Sequence, residues 1–546
     1  MTGVARRLRP IDWGVALALA SAYVAVLVKT ARSQGYARDE GFYFAAAESY
    51  AGWFEKLFLS PFAALQRSAV DAAFAHNHEH PALVKSLFSL SWMFLYKRFH
   101  LFSEEGTSFR FPGMCFAGLT LATLYLWGTE ARGRRVGVAA ALAFALVPTT
   151  FYHAHLDCFD VPIAAMWLLC AYCYWKSLAE GGVGWAIVVG VVYGLTLDTK
   201  HNSWFLPFAV IVHALIARGV GLRRDALVGR FRVPLALIAM LTIGPVVFVL
   251  SWPWLWFDTA HRFADYVAFH TGHEYYNMEF LGTTYWKPPF PRSYAWLMTA
   301  ATLPVVSLAI TAVGAFVLAR ERLADRDGIA PRDPAATVAL WTLGVFVNYA
   351  PWLSPGTPIF GGTKHWLTAY PFLALFAGVG FDWVVRTLET RAPATLRRAT
   401  LPVVAGACLG APLVETWHSH PFGLSAYSPL VGGTPGAASL GLNRGFWGYQ
   451  TGSLVGFLNA HLPPGGTLYL HDTAYDAFRM LQRDGRLRAD IRPVMSPAYA
   501  DAALYHHEQH MEGVEYQIWV AFGTTSPAEI VGLDGVPIAW VYLRPR

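Results

Sequence analysis

The sequence predicts an all-α polytopic membrane protein with a small C-terminal α/β domain. Long apolar segments recur through residues 1–416, and the 546-residue chain is 55% hydrophobic but only 14% charged. Soluble domains carry about 25% charged residues. Because lipid offers the backbone no hydrogen-bond partners, the apolar segments must be helical. The net charge of +6 is scattered and indicates no nucleic-acid partner.

Eleven segments are apolar and long enough to be candidate membrane spans, which need about 20 residues. They are 12–29, 109–128, 136–152, 161–178, 184–198, 203–217, 233–252, 294–318, 337–352, 367–385 and 399–416. The first is interpreted as an uncleaved helix rather than a signal peptide. A further apolar stretch, 82–96, is expected to be interfacial or re-entrant. If Lys97 and Arg98 instead mark a cytoplasmic end, 12 or 13 helices result.

Basic segments predict the orientation in the membrane, because Lys and Arg concentrate in cytoplasmic loops. They are residues 6–9, 132–135, 218–232, 320–327 and 386–398. The predicted location is the bacterial cytoplasmic (inner) membrane, with the N-terminus in the cytoplasm. Segments 30–108, 153–160, 253–293 and 353–366 then lie outside.

The C-terminal residues 417–546 differ in composition from the transmembrane domain 1–416. Gly- and Pro-rich turns are followed by short alternating runs such as "TLYLHD" and "YQIWVAFG", which is typical of strands. About 130 residues suffice for one domain. We expect an extracytoplasmic α/β domain.

The predicted orientation collects ionisable side chains from distant segments on the outer face. They are Arg38, Asp39, Glu40, His78, His80, His155, Asp157, Asp160, Lys200, His201, Lys364 and His365. Ionisable groups at membrane depth are costly and tend to mark substrate sites. A carboxylate can deprotonate an acceptor hydroxyl, and cations can neutralise a phosphate leaving group. No nucleotide-binding fingerprint is present, which favours a donor activated beforehand.

Each of these residues also has a simpler interpretation. Acidic residues that follow a helix are commonly solvated loop charges. Lys200 and His201 have the positions of cationic side chains that extend to the lipid headgroups. His76 and His80 are four residues apart and resemble a metal site, but loop histidines without metal are more common. We assign no metal ligand. A divalent cation bridging Asp39, Glu40 and a donor phosphate is compatible with the residues, although nothing in the sequence requires it.

The order of several motifs resembles that in the GT-C fold glycosyltransferases, in the branch of protein O-mannosyltransferases and the lipid A aminoarabinose transferase. The motifs are "ARDEGFYF", "HNHEHPAL", "HLDCFDVP", "TKHNSWFLP" and "GGTKHWLTAYPFLALFAG". The resemblance implies transfer of a sugar from a polyprenyl-phosphate donor to a lipid, glycan or protein acceptor. The transfer is expected on the extracytoplasmic face, usually with inversion.

The resemblance also implies roles for individual residues. Asp39 becomes the general base with Glu40 in support, and Asp157 is the second acid, with Asp160 as its rival. The phosphate-binding candidates are Lys364, His365 and, more weakly, Lys200. The further substrate-binding candidates are Arg38, His78, His80, His155 and His201. The aminoarabinose branch has Lys where this chain has His80, so a permanent charge is missing there.

Two other functions compete with this one. A transporter or flippase of lipid-linked sugars would be expected to show related halves and broken helices at mid-membrane. The sequence shows no internal repeat, and its polar groups collect at one face. A non-catalytic scaffold would leave those groups unexplained.

Overall fold

The computed structural model describes residues 7–221, 233–324 and 334–545. Three parts of the basic segments that predict the orientation lie outside the described residues: 222–232 of the segment 218–232, 325–327 of the segment 320–327, and Arg6 of the segment 6–9. The helices up to residue 221 are α1 Pro10–Thr30, α2 Arg38–Leu59, α3 Pro61–Ala64, α4 Arg67–Phe74, α5 Leu83–Ser91, α6 Glu105–Arg132, α7 Arg134–Ala145, α8 Pro148–Ala154, α9 Asp160–Glu180, α10 Gly182–Leu197 and α11 Leu206–Gly221.

The described residues from 233 onward form twelve further helices and seven strands. The helices are α12 Leu235–Ser251, α13 Thr259–Thr271, α14 Tyr294–Thr302, α15 Val305–Ala324, α16 Pro334–Tyr349, α17 Tyr370–Arg391, α18 Arg397–Ala405, α19 Ala411–Ser419, α20 Gly433–Ser439, α21 Thr451–His461, α22 Tyr475–Arg483 and α23 Glu512–Phe522. The strands are β1 Met278–Phe280, β2 Thr283–Tyr285, β3 Thr467–Tyr469, β4 Arg492–Val494, β5 Ala502–His506, β6 Glu529–Leu533 and β7 Val536–Leu543.

Six described helices are long and apolar enough to cross a membrane: Pro10–Ser33, Glu105–Arg132, Asp160–Leu178, Ala336–Leu353, Leu367–Arg391 and Arg397–Ser419. Two bent pairs, α7 with α8 at 77° and α14 with α15 at 117°, bring the number to eight. Three shorter apolar helices are Gly182–Leu197, His201–Ile216 and Leu235–Ser251. Each of the eleven predicted segments therefore coincides with an apolar helix or bent pair. The prediction of a multi-pass helical membrane protein is confirmed.

Close helix packing in the membrane part depends on small residues, because lipid supplies no hydrophobic force between helices. α15 and α17 cross where Gly314 faces Gly380. A methyl group on Gly314 would overlap the carbonyl of Phe376, and one on Gly380 would overlap the carbonyl of Ile310. The two glycines let the helix backbones touch.

The stretch 82–96 forms α5, continued by a π-helical turn over Trp92–Arg98. Val84 and Phe88 are buried on one side of α5, while Phe94 is exposed. This stretch does not meet the length and hydropathy of the six spans. An interfacial or re-entrant position remains our prediction for it.

The C-terminal part contains a five-stranded sheet in the order β4-β3-β5-β7-β6. β3 pairs in parallel with β4 and β5, and β7 pairs antiparallel with β5 and β6. Leu468, Leu504 and Val541 pack in its core. The predicted small α/β domain is therefore present. Its predicted start at residue 417 falls in the last turns of α19.

The sheet domain is fastened to the first outer segment by polar contacts. Asp484, just after α22, accepts backbone N–H bonds of 2.8 and 3.1 Å from Glu105 and Gly106 at the start of α6. Tyr36 donates its hydroxyl hydrogen to the same carboxylate. Because these groups hold the loop before α2, the domain helps to position the residues at the start of α2.

Candidate active site

A cavity of about 540 Å³ opens where the start of α2 meets the loops 76–80 and 360–364 and the sheet domain. Both parts of the protein contribute to its wall. The charged and polar residues that line it include Arg38, Asp39, Asn77, Glu79, His80, Asn277, Glu279, Lys364, Asn443 and Glu508. The aromatic lining includes Tyr43, Phe269, Tyr276, Phe360, Phe446 and Trp447. A pocket with an apolar wall and a few converging polar groups is the usual form of a small-molecule site.

Asp39 and Lys364 face each other in this cavity. The Lys364 ammonium donates to Asp39 Oδ2 at 3.2 Å, across 325 residues of sequence. The Lys364 side chain is only 8% exposed, against 24% for Asp39. Lys364 Nζ also lies 4.2 Å from the centre of the Trp447 ring, which provides a cation–π contact.

The "GGTK" motif explains how Lys364 reaches the cavity. Gly362 has a φ of +58°, a left-handed conformation that favours glycine. A Cβ on Gly361 would overlap the side chain of Lys364. Both glycines are therefore needed for the short turn Gly362–His365 that carries the lysine.

Glu40 supports the site from behind. Arg110 donates to both oxygens of Glu40, with Nε–Oε1 and Nη2–Oε2 distances of 2.7 Å each. Glu40 also accepts the backbone N–H of Ala37 at 2.8 Å, which caps the start of α2. Its carboxylate is buried and does not line the cavity. Glu40 therefore holds the start of α2, where Asp39, the preceding residue, lines the cavity.

Asp157 lies behind Glu40 and does not line the cavity. Its backbone N–H donates to Glu40 Oε1 at 3.0 Å, while both of its own carboxylate oxygens are buried with no hydrogen-bond partner among the described residues. Burial, together with the charge of Glu40, raises the pKa of Asp157 well above its usual range. Burial therefore disfavours the ionised form of Asp157, and its role as the second acid stays a prediction.

Asp160, the rival of Asp157, forms an ion pair with Lys200. The Lys200 Nζ donates to Asp160 Oδ1 at 2.6 Å, and His153 Nδ1 lies 3.9 Å from the second oxygen. The two partners come from the starts of two apolar helices that were predicted to begin on the same side of the membrane. Neither lines the cavity.

The predicted histidines divide into two groups. His80 lines the cavity, and burial, with His270 and Lys85 nearby, lowers its pKa well below the ordinary value. The rings of His80 and His201 lie 5.8 and 4.1 Å from the ring of His270. His365 Nε2 accepts the Phe360 N–H at 3.1 Å, and neither His201 nor His365 lines the cavity.

The structure places His78 and His155 outside this cavity. His78 is exposed, and its ring lies 4.8 Å from that of Trp254. His155 is buried, hydrogen-bonded to Thr30 Oγ1 at 2.8 Å, and its ring stacks on His420. These contacts are those of structural histidines.

Arg38 lines the cavity, but its guanidinium pairs with Asp472 of the sheet domain. Its backbone N–H donates to the carbonyl of Trp447 at 2.8 Å, and Trp447 has a φ of +75°. The cation that contacts Asp39 is therefore Lys364, supplied from a distant loop.

The sheet domain contributes cavity residues that sequence reasoning missed. Glu508 follows β5, and its carboxylate accepts from the Asn443 and Asn277 amides at 3.2 and 3.4 Å. Burial raises the pKa of Glu508 to about 7. The carboxyl ends of parallel strands are common ligand sites, and "HHE" at such an end is the signal that could have identified Glu508.

One described group has the side chains to hold a metal ion. Ligand atoms of Glu279, Glu508 and His510 all lie within 4.8 Å of one another, and His510 Nδ1 is 2.8 Å from Glu279 Oε1. Carboxylate and imidazole ligands suit a divalent transition metal. Among the described residues, neither Asp39 with Glu40 nor the "HNHEH" histidines form such a group. Arg110 occupies the Glu40 carboxylate instead.

Comparison with known proteins gives this arrangement a context. The profile of the dolichyl-phosphate-mannose-protein mannosyltransferase family matches residues 88–252. The structure of ArnT from Cupriavidus metallidurans in the apo state superposes with a TM-score of 0.51 at 15% identity, covering 98% of this chain and 99% of that chain. The chain has the GT-C fold.

A second GT-C structure agrees. The apo oligosaccharyltransferase of Archaeoglobus fulgidus matches with a TM-score of 0.50 at 11% identity, covering 93% of this chain and 71% of that one. No functionally curated protein matches this sequence significantly. The predicted GT-C architecture is confirmed, with the cavity at Asp39 and Lys364 between its membrane helices and its sheet domain.

Proposed function

We propose that this GT-C protein is a membrane glycosyltransferase that moves a sugar from a polyprenyl-phosphate donor to an acceptor hydroxyl. The observation that carries the proposal is the contact of 3.2 Å between the Asp39 carboxylate and the Lys364 ammonium in an accessible cavity. The family profile over residues 88–252 supports a lipid-phosphate sugar as donor. Since the compared proteins are glycosyltransferases, a transporter is not proposed.

In this mechanism Asp39 is the general base. When the donor enters, its phosphate takes Lys364 as a partner and leaves Asp39 free to accept a proton. The acceptor oxygen attacks the anomeric carbon and its proton passes to Asp39. The bond from that carbon to the phosphate oxygen breaks, so polyprenyl phosphate leaves. A single displacement of this kind inverts the anomeric configuration.

Charge on the leaving phosphate is balanced by fixed cations. Lys364 is nearest to Asp39, and Arg38 lines the same wall. The lysine is held among aromatic rings where its charge is poorly screened, so its attraction to a phosphate is strong. His80, with a lowered pKa, contributes as a neutral hydrogen-bonding group.

The part of the cavity wall away from Asp39 and Lys364 carries acidic and amide side chains, which can hydrogen-bond the hydroxyl groups of a sugar or an acceptor. They are Asn277, Glu279, Asn443 and Glu508. We place this face of the protein outside the cytoplasmic membrane of a bacterium, with the N-terminus in the cytoplasm. The acceptor is a lipid, a glycan or a protein.

Transfer from a polyprenyl-phosphate donor tests the proposal. Membranes with wild-type protein are expected to transfer labelled mannose or an amino-pentose from such a donor. Asp39→Asn should lower turnover by about 10²–10⁴-fold, the usual contribution of a general base. Glu55→Gln, on the exposed side of the same helix, is the matched control and should be fully active. Near-normal turnover by folded Asp39→Asn would contradict the assignment.

A further inference from the structure

A second polar cavity lies at the opposite end of the membrane part. It has a volume of about 680 Å³ and is lined at the start of α1, at the turn between α6 and α7, and on the last turns of α17. α1 has 21 residues, and a helix rises 1.5 Å per residue, so about 30 Å separates this cavity from the end of α1 near Asp39. It is a different site from the one described above.

Arginine dominates the wall of this second cavity. Among the residues that the structure describes, six arginines and two acidic residues, Asp12 and Asp382, line it. The arginines are Arg7, Arg9, Arg132, Arg134, Arg135 and Arg386. Six positive charges against two negative charges leave a large excess of positive charge in a concave surface, which focuses the field on an incoming anion.

Four of these arginines have acidic partners. Arg134 pairs with Asp12 at 2.6 Å, and Arg386 pairs with Asp382 at 2.7 Å. Arg135 reaches Asp382 at 3.3 Å and Glu389 at 3.1 Å, and Arg132 reaches Glu321 at 2.7 Å. These pairs fix the wall in position. Even with Glu321 and Glu389 included, the arginines outnumber the carboxylates by two.

Arg7 and Arg9 supply that excess. Both are exposed at the entry to α1, and within the described ranges neither guanidinium takes part in an ion pair. The N-terminus of the 12-residue α7, at Arg134, adjoins the same cavity. Free backbone N–H groups and the positive end of a helix dipole add to the attraction for an anion.

From this geometry we infer that the cavity binds the phosphate headgroup of an anionic membrane lipid. Guanidinium forks match phosphate oxygens in pairs, which makes arginine the preferred partner for this group. The cavity lies at the ends of the membrane-crossing helices α1, α6 and α17, where lipid headgroups are expected. Basic pockets between helices at the cytoplasmic side are suited to anionic headgroups. The site anchors the cytoplasmic end of α1 and α17 to its lipid.

Lipid retention by the purified full-length protein tests this inference. Native mass spectrometry in detergent would compare phosphatidylglycerol with zwitterionic phosphatidylcholine. We expect the wild type to retain phosphatidylglycerol preferentially, and Arg7→Gln/Arg9→Gln to bind it on the order of tenfold more weakly. Arg397→Gln/Arg398→Gln removes two exposed arginines outside the cavity and should bind like the wild type.

Several results would overturn the inference. One is equal retention of phosphatidylglycerol by Arg7→Gln/Arg9→Gln and the wild type, and another is equal retention of the two lipids. Millimolar inorganic phosphate that displaces phosphatidylglycerol completely would identify a site for a free anion instead. Should the double variant fail to fold, Arg386→Gln, at a half-exposed position of the same wall, is expected to give a smaller loss of the same kind.

Discussion

Glu40 and Arg110 form an ion pair in which neither side chain is more than 1% exposed. Arg110 also donates to the carbonyls of Ala31, Gln34 and Gly35, so one guanidinium joins α6 to the chain that leads into α2. The acidic pair in the sequence therefore separates into two roles. Glu40 holds the framework, and Asp39 faces the cavity.

Removing one partner of this pair should destabilise the protein strongly. Arg110→Met leaves Glu40 buried without its cation, at an expected cost of about 3–5 kcal/mol. Replacing both residues, in Glu40→Met/Arg110→Met, removes the uncompensated charge and should recover part of the loss. Thermal unfolding in detergent measures both. Equal melting temperatures for Arg110→Met and the wild type would contradict the role assigned to the pair.

Lys364 is expected to act mainly on the donor. Lys364→Met removes the cation that balances the phosphate and should lower kcat/KM by about 10²-fold, the typical loss for one electrostatic partner of the transition state. Lys364→Arg keeps the charge and should retain part of the activity. Steady-state transfer assays measure the effect. Lys56→Met, at an exposed position near the end of α2, is the control. If Lys56→Met lowered kcat/KM as much as Lys364→Met, the effect would come from removing any positive charge and not from the position of Lys364.

Asp484 should control how firmly the sheet domain is attached. Asp484→Ala removes the acceptor for the N–H groups at the start of α6, which typically costs about 1–2 kcal/mol. We expect a lower melting temperature and faster proteolysis between the two parts. Asp490→Ala removes an exposed carboxylate whose contacts, with Arg488 and with the backbone N–H of Gly465, stay within the sheet domain, so it is the control. If both variants are cleaved at the wild-type rate, the Asp484 contacts do not hold the domain.

The raised pKa of Glu508 predicts that the stability of the folded protein depends on pH. Burial raises its pKa from 4.5 to about 7. Between these values the folded protein keeps a proton that the unfolded chain has lost, so the contribution of Glu508 to stability falls as pH rises from about 4.5 to about 7. The melting temperature of Glu508→Gln should therefore fall less over this range than that of the wild type. Parallel curves for the two proteins would show that Glu508 titrates normally.

Several features could be predicted from the sequence because they depend on local patterns. A long run of apolar residues forms a helix whichever other segments pack against it, because in lipid every backbone group must be hydrogen-bonded within its own segment. The alternating runs after residue 417 likewise predicted strands. The predicted membrane orientation put Asp39 and Lys364 on the same side of the membrane. In the structure the two side chains lie 3.2 Å apart.

The partners of the charged residues could not be predicted in this way. Nothing near Glu40 in the sequence indicates Arg110, which lies 70 residues away inside an apolar helix. His155 shares its segment with Asp157 and Asp160 but turns toward Thr30 and His420. Which carboxylate meets a cation depends on helix rotation and packing.

By itself, therefore, the sequence determined the membrane helices and the α/β domain, and it predicted that the polar residues collect on one side of the membrane. The tertiary structure alone decided that Asp39 faces the cavity while Glu40 and Asp157 lie behind it, and that Glu508 joins the cavity from the sheet domain. The reason is physical. Hydrophobicity acts on each segment independently, whereas an ion pair exists only when folding brings two distant side chains within a few ångströms.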